Sequence, residues 1–240
     1  MKKNTSLLVV IIIAFICVSF HTKKEPRILV FSKTAGFRHT SIKPGKEALR
    51  LLGETHGFRI DTTEDAAAFT KKNLKKYAAV IFLNTTGDIL NEEQQAAFEN
   101  FIHSGKGFVG IHAATDTEYG WPWYVKLVGG NFESHPETQP ATLVVAEPRH
   151  LSTQHLPAQW SRTDEWYNFK NQNAAVNIVL RIDESSYKGG KNGKDHPMAW
   201  YHEYDGGRAF YTALGHTDES YKEEAFLQHL LGGIKYALGK

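Results

Sequence analysis

The residues best suited to chemistry are histidines and carboxylates that follow predicted strands. His112 comes directly after the apolar run at residues 107–111, and Asp116 lies four positions further on. In open α/β sheets, functional side chains lie just beyond the carboxyl ends of the strands. We therefore expect His112 at the centre of a functional crevice. Further candidates for the same crevice are His39, Asp116, His135, Asp164, Glu165 and His216.

General acid–base catalysis is one chemistry that this set permits. A carboxylate paired with an imidazole can be tuned to exchange protons near neutral pH. Cleavage or rearrangement at a sugar needs such a pair, and an oxidised sugar would also allow elimination next to its carbonyl. The residues expected to be catalytic are His112, Glu165, Asp164, Asp116 and His39.

A metal site is the second interpretation of the same residues. Imidazole and carboxylate groups bind divalent ions such as zinc, and the expected ligands are His112, His135 and His216, with Asp116 as the carboxylate. No local spacing such as His-x-x-x-His supports this interpretation. The alternative is that no cofactor is bound.

A non-catalytic carbohydrate-binding module is the third interpretation. Aromatic rings stack on sugar faces, although large cores also collect tryptophan, and the five tryptophans of the chain lie between Trp121 and Trp200. In a binding module the histidines would only donate hydrogen bonds. The residues expected to contact a small carbohydrate are Arg38, Trp121, Trp123, Trp166, Tyr167 and Trp200.

Strands and helices alternate through the first half of the chain. Apolar runs predict strands at residues 27–32, 78–83 and 107–112, with a shorter strand at 58–61. A helix is predicted from Ser41 to Gly57, and another begins at Asn91, where Gln94 completes a capping box. Strands that are apolar on both faces indicate parallel pairing. The alternation predicts a doubly wound α/β sheet.

The second half of the sequence is richer in strands. Strands are predicted at 141–146 and 178–183, on either side of a loop-rich span, and residues 197–214 form a hairpin that turns at two glycines. An amphipathic helix is predicted at about 223–238. Three helical histidines without polar companions are expected on the surface or at caps: His56, His103 and His229.

The first 21 residues have the pattern of an export signal. Two lysines precede an apolar run from Leu7 to Phe20, which is too short to span a bilayer comfortably. We expect an exported, periplasmic or envelope protein, with lipid attachment at Cys17 as a second route. Cys17 is the only cysteine, so the mature domain has no disulfide and no thiolate nucleophile.

Charge argues against some partners. Without Lys2 and Lys3 the formal net charge falls from +2 to zero, and no basic run remains elsewhere. Nucleic acid and anionic membrane surfaces are therefore not expected as partners. The sequence indicates no specific protein partner and leaves the oligomeric state open. The expected partner is a small carbohydrate.

Several short motifs resemble those of the ThuA-like (trehalose utilisation) family. They occur in the family's order over residues 27–238, which we take as one domain, and comprise Gly36-Phe37-Arg38-His39, Gly110-Ile111-His112-Ala113-Ala114, His135-Pro136, Asp164-Glu165-Trp166-Tyr167, Pro197-Met198-Ala199-Trp200 and Leu214-Gly215-His216. The resemblance implies a flavodoxin-like, mostly parallel sheet of the class I glutamine amidotransferase type. It also implies a link to sugar utilisation.

One departure from the amidotransferase pattern excludes an activity. Those enzymes carry a nucleophilic cysteine on the turn after a strand, where this chain has Ile111-His112-Ala113. Glutamine hydrolysis through a thioester cannot proceed without that thiolate. The resemblance therefore implies the scaffold and not the glutaminase reaction. The activity expected on it is that of a glycoside or keto-sugar hydrolase or lyase.

Overall fold

The computed structural model describes residues 25–240. The predicted export signal at residues 1–21, with Cys17, lies outside the described residues. Within residues 25–240, none of the helices combines the length and the apolar character needed to cross a membrane.

Eleven strands and five α-helices make up this part of the chain. The strands are β1 (Arg27–Phe31), β2 (Arg59–Thr63), β3 (Ala79–Leu83), β4 (Gly107–Ile111), β5 (Asn131–Ser134), β6 (Gln139–Val145), β7 (Gln159–Asp164), β8 (Asn168–Lys170), β9 (Asn177–Ile182), β10 (Pro197–Tyr204) and β11 (Gly207–Thr212). The helices are α1 (Ile42–His56), α2 (Lys71–Leu74), α3 (Glu92–His103), α4 (Pro122–Val128) and α5 (Glu224–Ala237).

Nine strands form one sheet in the order β2-β1-β3-β4-β11-β10-β9-β6-β7. The first five strands of this order pair in parallel, and the remaining four pair in antiparallel fashion. Strands β5 and β8 form a separate antiparallel pair. The predicted α/β fold with a parallel sheet and a strand-rich second half is confirmed.

Helices cover both faces of the parallel strands. On one face, α1 packs against β2 and β3, and α5 packs against β4 and β11. On the other face, Phe82 of β3 stacks on Phe98 of α3 and Tyr124 of α4. Successive side chains of a strand point to opposite faces, so a strand covered on both sides must be apolar throughout. All five residues of β3 are accordingly buried.

The predicted ends of the helices agree with the structure. Helix α1 begins after Ser41 and ends at Gly57, whose left-handed backbone closes the last turn. Asn91 and Gln94 exchange the hydrogen bonds of a capping box at the start of α3. A glycine opens β4 because a Cβ atom at Gly107 would lie 2.3 Å from the carbonyl oxygen of Ala237.

Two expectations for the second half are wrong. The span expected to be loop-rich contains β7 and β8, which pair with β6 and β5. His229 was expected on the surface or at a cap, but it is a fully buried residue of α5. Its ring bonds to the carbonyl oxygen of Ser152 and the hydroxyl of Thr212, which satisfies both nitrogens in the core.

Candidate functional site

Three histidines that follow parallel strands lie at the same edge of the sheet. His39 follows β1, His112 follows β4, and His216 follows β11, so all three lie beyond the carboxyl ends of parallel strands. Glu165 comes from the end of β7. One ligand atom from each of these four side chains lies within 4.8 Å of the others. We call His39, His112, Glu165 and His216 the histidine–glutamate cluster.

His112 leaves its strand through a tight turn. The 3₁₀ turn at residues 112–116 follows β4 directly, and the backbone φ of His112 is +49°. A left-handed backbone is uncommon outside glycine and asparagine, and such strain is concentrated at functional sites. After this turn the imidazole contacts the side chains of His216 and Glu165.

A short triangle of polar atoms forms the centre of the cluster. His112 Nε2 lies 3.3 Å from Glu165 Oε2, and His216 Nδ1 lies 3.2 Å from the same oxygen. The two imidazole nitrogens are 3.2 Å apart. His39 packs edge-on against both imidazole rings, with ring centroids 4.9 and 5.2 Å away.

The orientation of His112 is fixed from outside the pocket. Its Nδ1 lies 2.7 Å from the carbonyl oxygen of Ala213, which can only accept a hydrogen bond. Nδ1 therefore carries a proton, and Nε2 of the neutral ring presents a lone pair to the cluster. Tyr167 lies against the ring at 4.2 Å between centroids. The imidazole is held on its edge and on one face.

The charges of the cluster depend on one another. Burial favours a neutral Glu165, but hydrogen bonds that the His112 and His216 rings donate when they are protonated outweigh burial and hold the pKa of Glu165 well below its usual range. Burial lowers the pKa of His216, yet the Glu165 carboxylate raises it by more. Burial, together with His112 and His216, lowers the pKa of His39 to about 3. His39 is therefore neutral at ordinary pH.

Three members of the cluster, His39, Glu165 and His216, line a pocket of about 260 Å³, whereas His112 is fully buried and does not line it. Asp116 and His135 also line the pocket, and His135 Nδ1 lies 3.0 Å from Glu165 Oε1. Aromatic side chains supply the remaining wall. They are Phe37, Phe132 and Tyr167. This volume lies slightly below the about 300–1,000 Å³ typical of ligand pockets, so the pocket has room for a small molecule.

Asp116 has an environment unlike that of Glu165. Burial raises the pKa of the Asp116 carboxyl above its usual range, although a hydrogen bond from the Tyr119 hydroxyl opposes the shift. The same hydroxyl lies 2.9 Å from the carbonyl oxygen of Phe132, which is a second acceptor for its single proton. Asp116 is therefore the carboxyl group of this pocket that retains a proton to higher pH.

Asp164 lies outside the pocket, although it was expected to be catalytic. Its carboxylate is fully buried and does not line the pocket. It accepts hydrogen bonds from the backbone amides of Glu165, Gly215 and His216, and Arg162 lies 3.3 Å away. Asp164 thus anchors the two chain segments that carry cluster residues. The expected catalytic role is corrected to a positioning role.

The expected tryptophan surface is also corrected. Trp166 and Trp200 are buried, and their indole nitrogens donate to the carbonyl oxygens of Gln139 and Val128. A ring enclosed in the core has no face available for a sugar. The other two tryptophans belong to an aromatic cluster around α3 and α4, and they are Trp121 and Trp123.

Two further expected residues lie outside the centre of the site. Arg38 turns away from the pocket and pairs with both carboxylate oxygens of Glu64 at 2.9 Å. His135, expected as a metal ligand, contacts only the outer oxygen of Glu165 and is not among the clustered ligand atoms. Asp116 is likewise absent from the clustered set, whereas His39 and Glu165 belong to it.

Sequence reasoning missed the supports of the site. Phe132 lies on β5, a short strand that the sequence did not indicate, so no pattern pointed to it. The contact between Arg162 and Asp164 could have been predicted, because the two residues are two positions apart and share one face of a strand. Charges of opposite sign at that spacing, on a buried face, indicate an internal ion pair.

The fold and site together define an amidotransferase-like α/β protein whose crevice holds histidines and carboxylates. Solved structures agree with this class. A protein of the GMP synthase type from Thermoplasma acidophilum superposes with a TM-score of 0.53 at 11% identity, covering 90% of this chain and 95% of that chain. At that identity the similarity concerns the fold alone.

The chain belongs to the ThuA family, described as trehalose utilisation, whose family model matches residues 27–237. A ThuA-like protein from Bacteroides uniformis is 25% identical, with a TM-score of 0.77 and coverage of 90% of this chain and 93% of that chain. Another from Parabacteroides merdae is 19% identical, with a TM-score of 0.74 and coverage of 90% and 91%. No curated protein matches the sequence.

Proposed function

We propose that this protein is an enzyme that acts on a small carbohydrate in the pocket above the histidine–glutamate cluster. The reaction is cleavage of a glycosidic bond, by hydrolysis or by elimination next to the carbonyl of a keto sugar. The observation that carries the proposal is one pocket that holds two carboxyl groups, Asp116 and Glu165, with pKa values shifted in opposite directions. Such a divergence separates an acid from a base.

Asp116 is the proposed general acid. Its raised pKa makes it more often protonated than an ordinary aspartate, and that proton can pass to the oxygen that leaves when the glycosidic bond breaks. A departing sugar oxygen is a poor leaving group until it is protonated, so this proton lowers the barrier. Tyr119 holds the carboxyl in place through its hydroxyl.

The histidine–glutamate cluster is the proposed basic side of the pocket. Glu165 is ionised and lines the pocket, and the fully buried His112 lies behind it with Nε2 3.3 Å from Glu165 Oε2. In hydrolysis this side would accept a proton from water. In elimination it would accept the proton of the carbon next to the sugar carbonyl while Asp116 protonates the departing oxygen.

The family description supports a carbohydrate as the substrate class. The pocket also combines aromatic wall residues with polar groups, a composition that suits sugar rings. The alternative of a non-catalytic binding module has less support, because it relied on tryptophan stacking and two of the tryptophans are enclosed in the core. We therefore favour an enzyme.

Product release from a panel of glycosides, disaccharides and their keto derivatives tests the proposal. Replacement Asp116→Asn removes the proton donor at nearly unchanged size, and we expect turnover to fall about 100-fold or more. The matched control is Asp195→Asn, because the Asp195 side chain is 90% exposed and does not line the pocket. Equal turnover by wild type and Asp116→Asn would contradict the assignment. Sugar binding without turnover across the panel would favour the binding module.

Export is a separate part of the proposal. The basic and apolar residues 1–21 would direct the chain to the periplasm or envelope and be removed there. Amino-terminal sequencing of the protein from fractionated cells tests this. We expect a mature start just after residue 21 in the periplasmic fraction. An intact Met1 in the cytoplasmic fraction would contradict export.

A further inference from the structure

The centre of the histidine–glutamate cluster has the spacing of a metal coordination shell. The three distances among His112 Nε2, His216 Nδ1 and Glu165 Oε2 are 3.2, 3.2 and 3.3 Å. A tetrahedral ion about 2.0–2.1 Å from each ligand places the ligands about 3.3–3.4 Å apart. The triangle therefore matches one face of a zinc tetrahedron.

The cluster has fewer hydrogen-bond donors than its nitrogen and oxygen acceptor atoms require. Two imidazole nitrogens face each other, and both face the same carboxylate oxygen. Nδ1 of His39 is buried and has no hydrogen-bond partner among residues 25–240. Buried nitrogen and oxygen atoms without partners destabilise a fold. A cation bound among these lone pairs would satisfy them together.

The surroundings hold the ligands as metal sites commonly do. The ring nitrogen of His112 that faces away from the cluster, Nδ1, donates a hydrogen bond to the Ala213 carbonyl oxygen. A contact of this kind fixes the tautomer and the orientation of a ligating histidine. Asp164 fixes the backbone of His216 and Glu165 through buried hydrogen bonds. Both supports come from outside the pocket, so the ligand atoms are oriented before any ion arrives.

We propose that the cluster binds one divalent transition-metal ion, of which Zn²⁺ fits best, through His112 Nε2, His216 Nδ1 and Glu165 Oε2. His39 supplies the fourth nitrogen or borders the open coordination position. Nitrogen-rich ligand sets select transition metals over Mg²⁺ and Ca²⁺, which prefer oxygen ligands. A bound ion would act as a Lewis acid on a sugar oxygen, and Glu165 Oε1, which is not a proposed ligand, would be the atom left to accept a proton.

Zinc content after reconstitution tests the site directly. The full chain is stripped with chelator, incubated with Zn²⁺, dialysed, and measured for metal by mass spectrometry. Titration calorimetry with Zn²⁺, and separately with Mg²⁺, gives the affinities. We expect about one Zn²⁺ per chain and no measurable Mg²⁺ binding. Substitution of Co²⁺ should give the intense visible absorption of a four-coordinate ion.

Two variants and one control locate the ion. Glu165→Gln and His216→Ala should each weaken Zn²⁺ binding at least about tenfold, because each removes one ligand. His103→Ala is the control, since His103 lies on α3 and its side chain is 75% exposed. Circular dichroism confirms that each variant is folded. Zinc content below about one tenth per chain in the wild type, or equal affinity in all four proteins, would overturn the site.

Metal binding is measured here without a substrate, so its failure and a failure of the proposed activity are distinguishable. A chain that binds no Zn²⁺ but cleaves a sugar would retain the acid–base proposal alone. A chain that binds Zn²⁺ but turns over no sugar would retain the metal site alone.

Discussion

The buried carboxylate of Asp164 accepts a hydrogen bond of 3.1 Å from the backbone amide of His216, although the two residues are 52 positions apart. The contact ties the end of β7 to the segment after β11. It places the His216 ring next to Glu165, which directly follows Asp164. The geometry of the pocket thus depends on a residue that does not line it.

Replacement Asp164→Asn should destabilise the fold. The change removes a charge that lies 3.3 Å from Arg162, whose side chain is only 4% exposed, and turns one acceptor into a donor that faces backbone amides. Loss of one partner of a buried ion pair costs about 3–5 kcal/mol. Urea denaturation measures the free energy of unfolding, with Asp195→Asn as the exposed control. A variant as stable as the wild type would argue against the anchoring role.

The stability of the fold should decrease as the pH is lowered below the pKa of an ordinary histidine. Burial lowers the pKa of His229 to about 3, whereas an unfolded histidine has a pKa of about 6.5. Between these values the unfolded chain binds more protons than the folded chain. The contribution of His229 is therefore present above pH 6.5 and is lost toward pH 3, at about 1.4 kcal/mol per pH unit.

The variant His229→Gln isolates this effect. It should be less stable at neutral pH, because the core contacts to Ser152 and Thr212 change, but its stability should depend less steeply on pH below 6.5. The exposed control His103→Gln should keep the wild-type slope. Denaturant unfolding at a series of pH values gives the three slopes. Identical slopes for His229→Gln and wild type would show that His229 titrates normally.

The descending limb of the pH profile, at which turnover falls as the pH rises, should respond to a change at Tyr119. Asp116 must be protonated to act, so turnover should be lost as the pH rises through its pKa, which lies above the ordinary value of about 3.9. The Tyr119 hydroxyl lowers that pKa, and Tyr119→Phe should move the descending limb to higher pH. The measurement is kcat against pH for both proteins. A limb at the same pH, or one displaced downward, would contradict the assignment of Asp116.

The sequence predicted the parallel strands well because their burial is visible in their composition. Strand β3 is apolar on both faces, and the ends of α1 follow from Ser41 and Gly57. Strand β7 was missed although its exposure alternates strictly. Two of its three inward residues are Arg162 and Asp164, so the alternation is not one of apolar and polar residues.

The candidate site was predictable in part for the same reason. His39 and His112 follow apolar strands, and the parallel topology brings the ends of those strands to one edge. Residue type alone does not tell which way a side chain faces. The expectations for Trp200 and Asp164 therefore failed, because one packs in the core and the other bonds to the backbone.

Turnover by the variant His112→Asn is the most direct test of the central claim that the histidine–glutamate cluster is a catalytic centre. Asparagine tolerates the left-handed backbone of position 112, so the fold should persist while the imidazole is lost. With the best substrate from the panel, we predict a fall in kcat of about 100-fold or more, with sugar affinity changed by only a few-fold. Unchanged kcat in a folded His112→Asn protein would contradict a catalytic cluster.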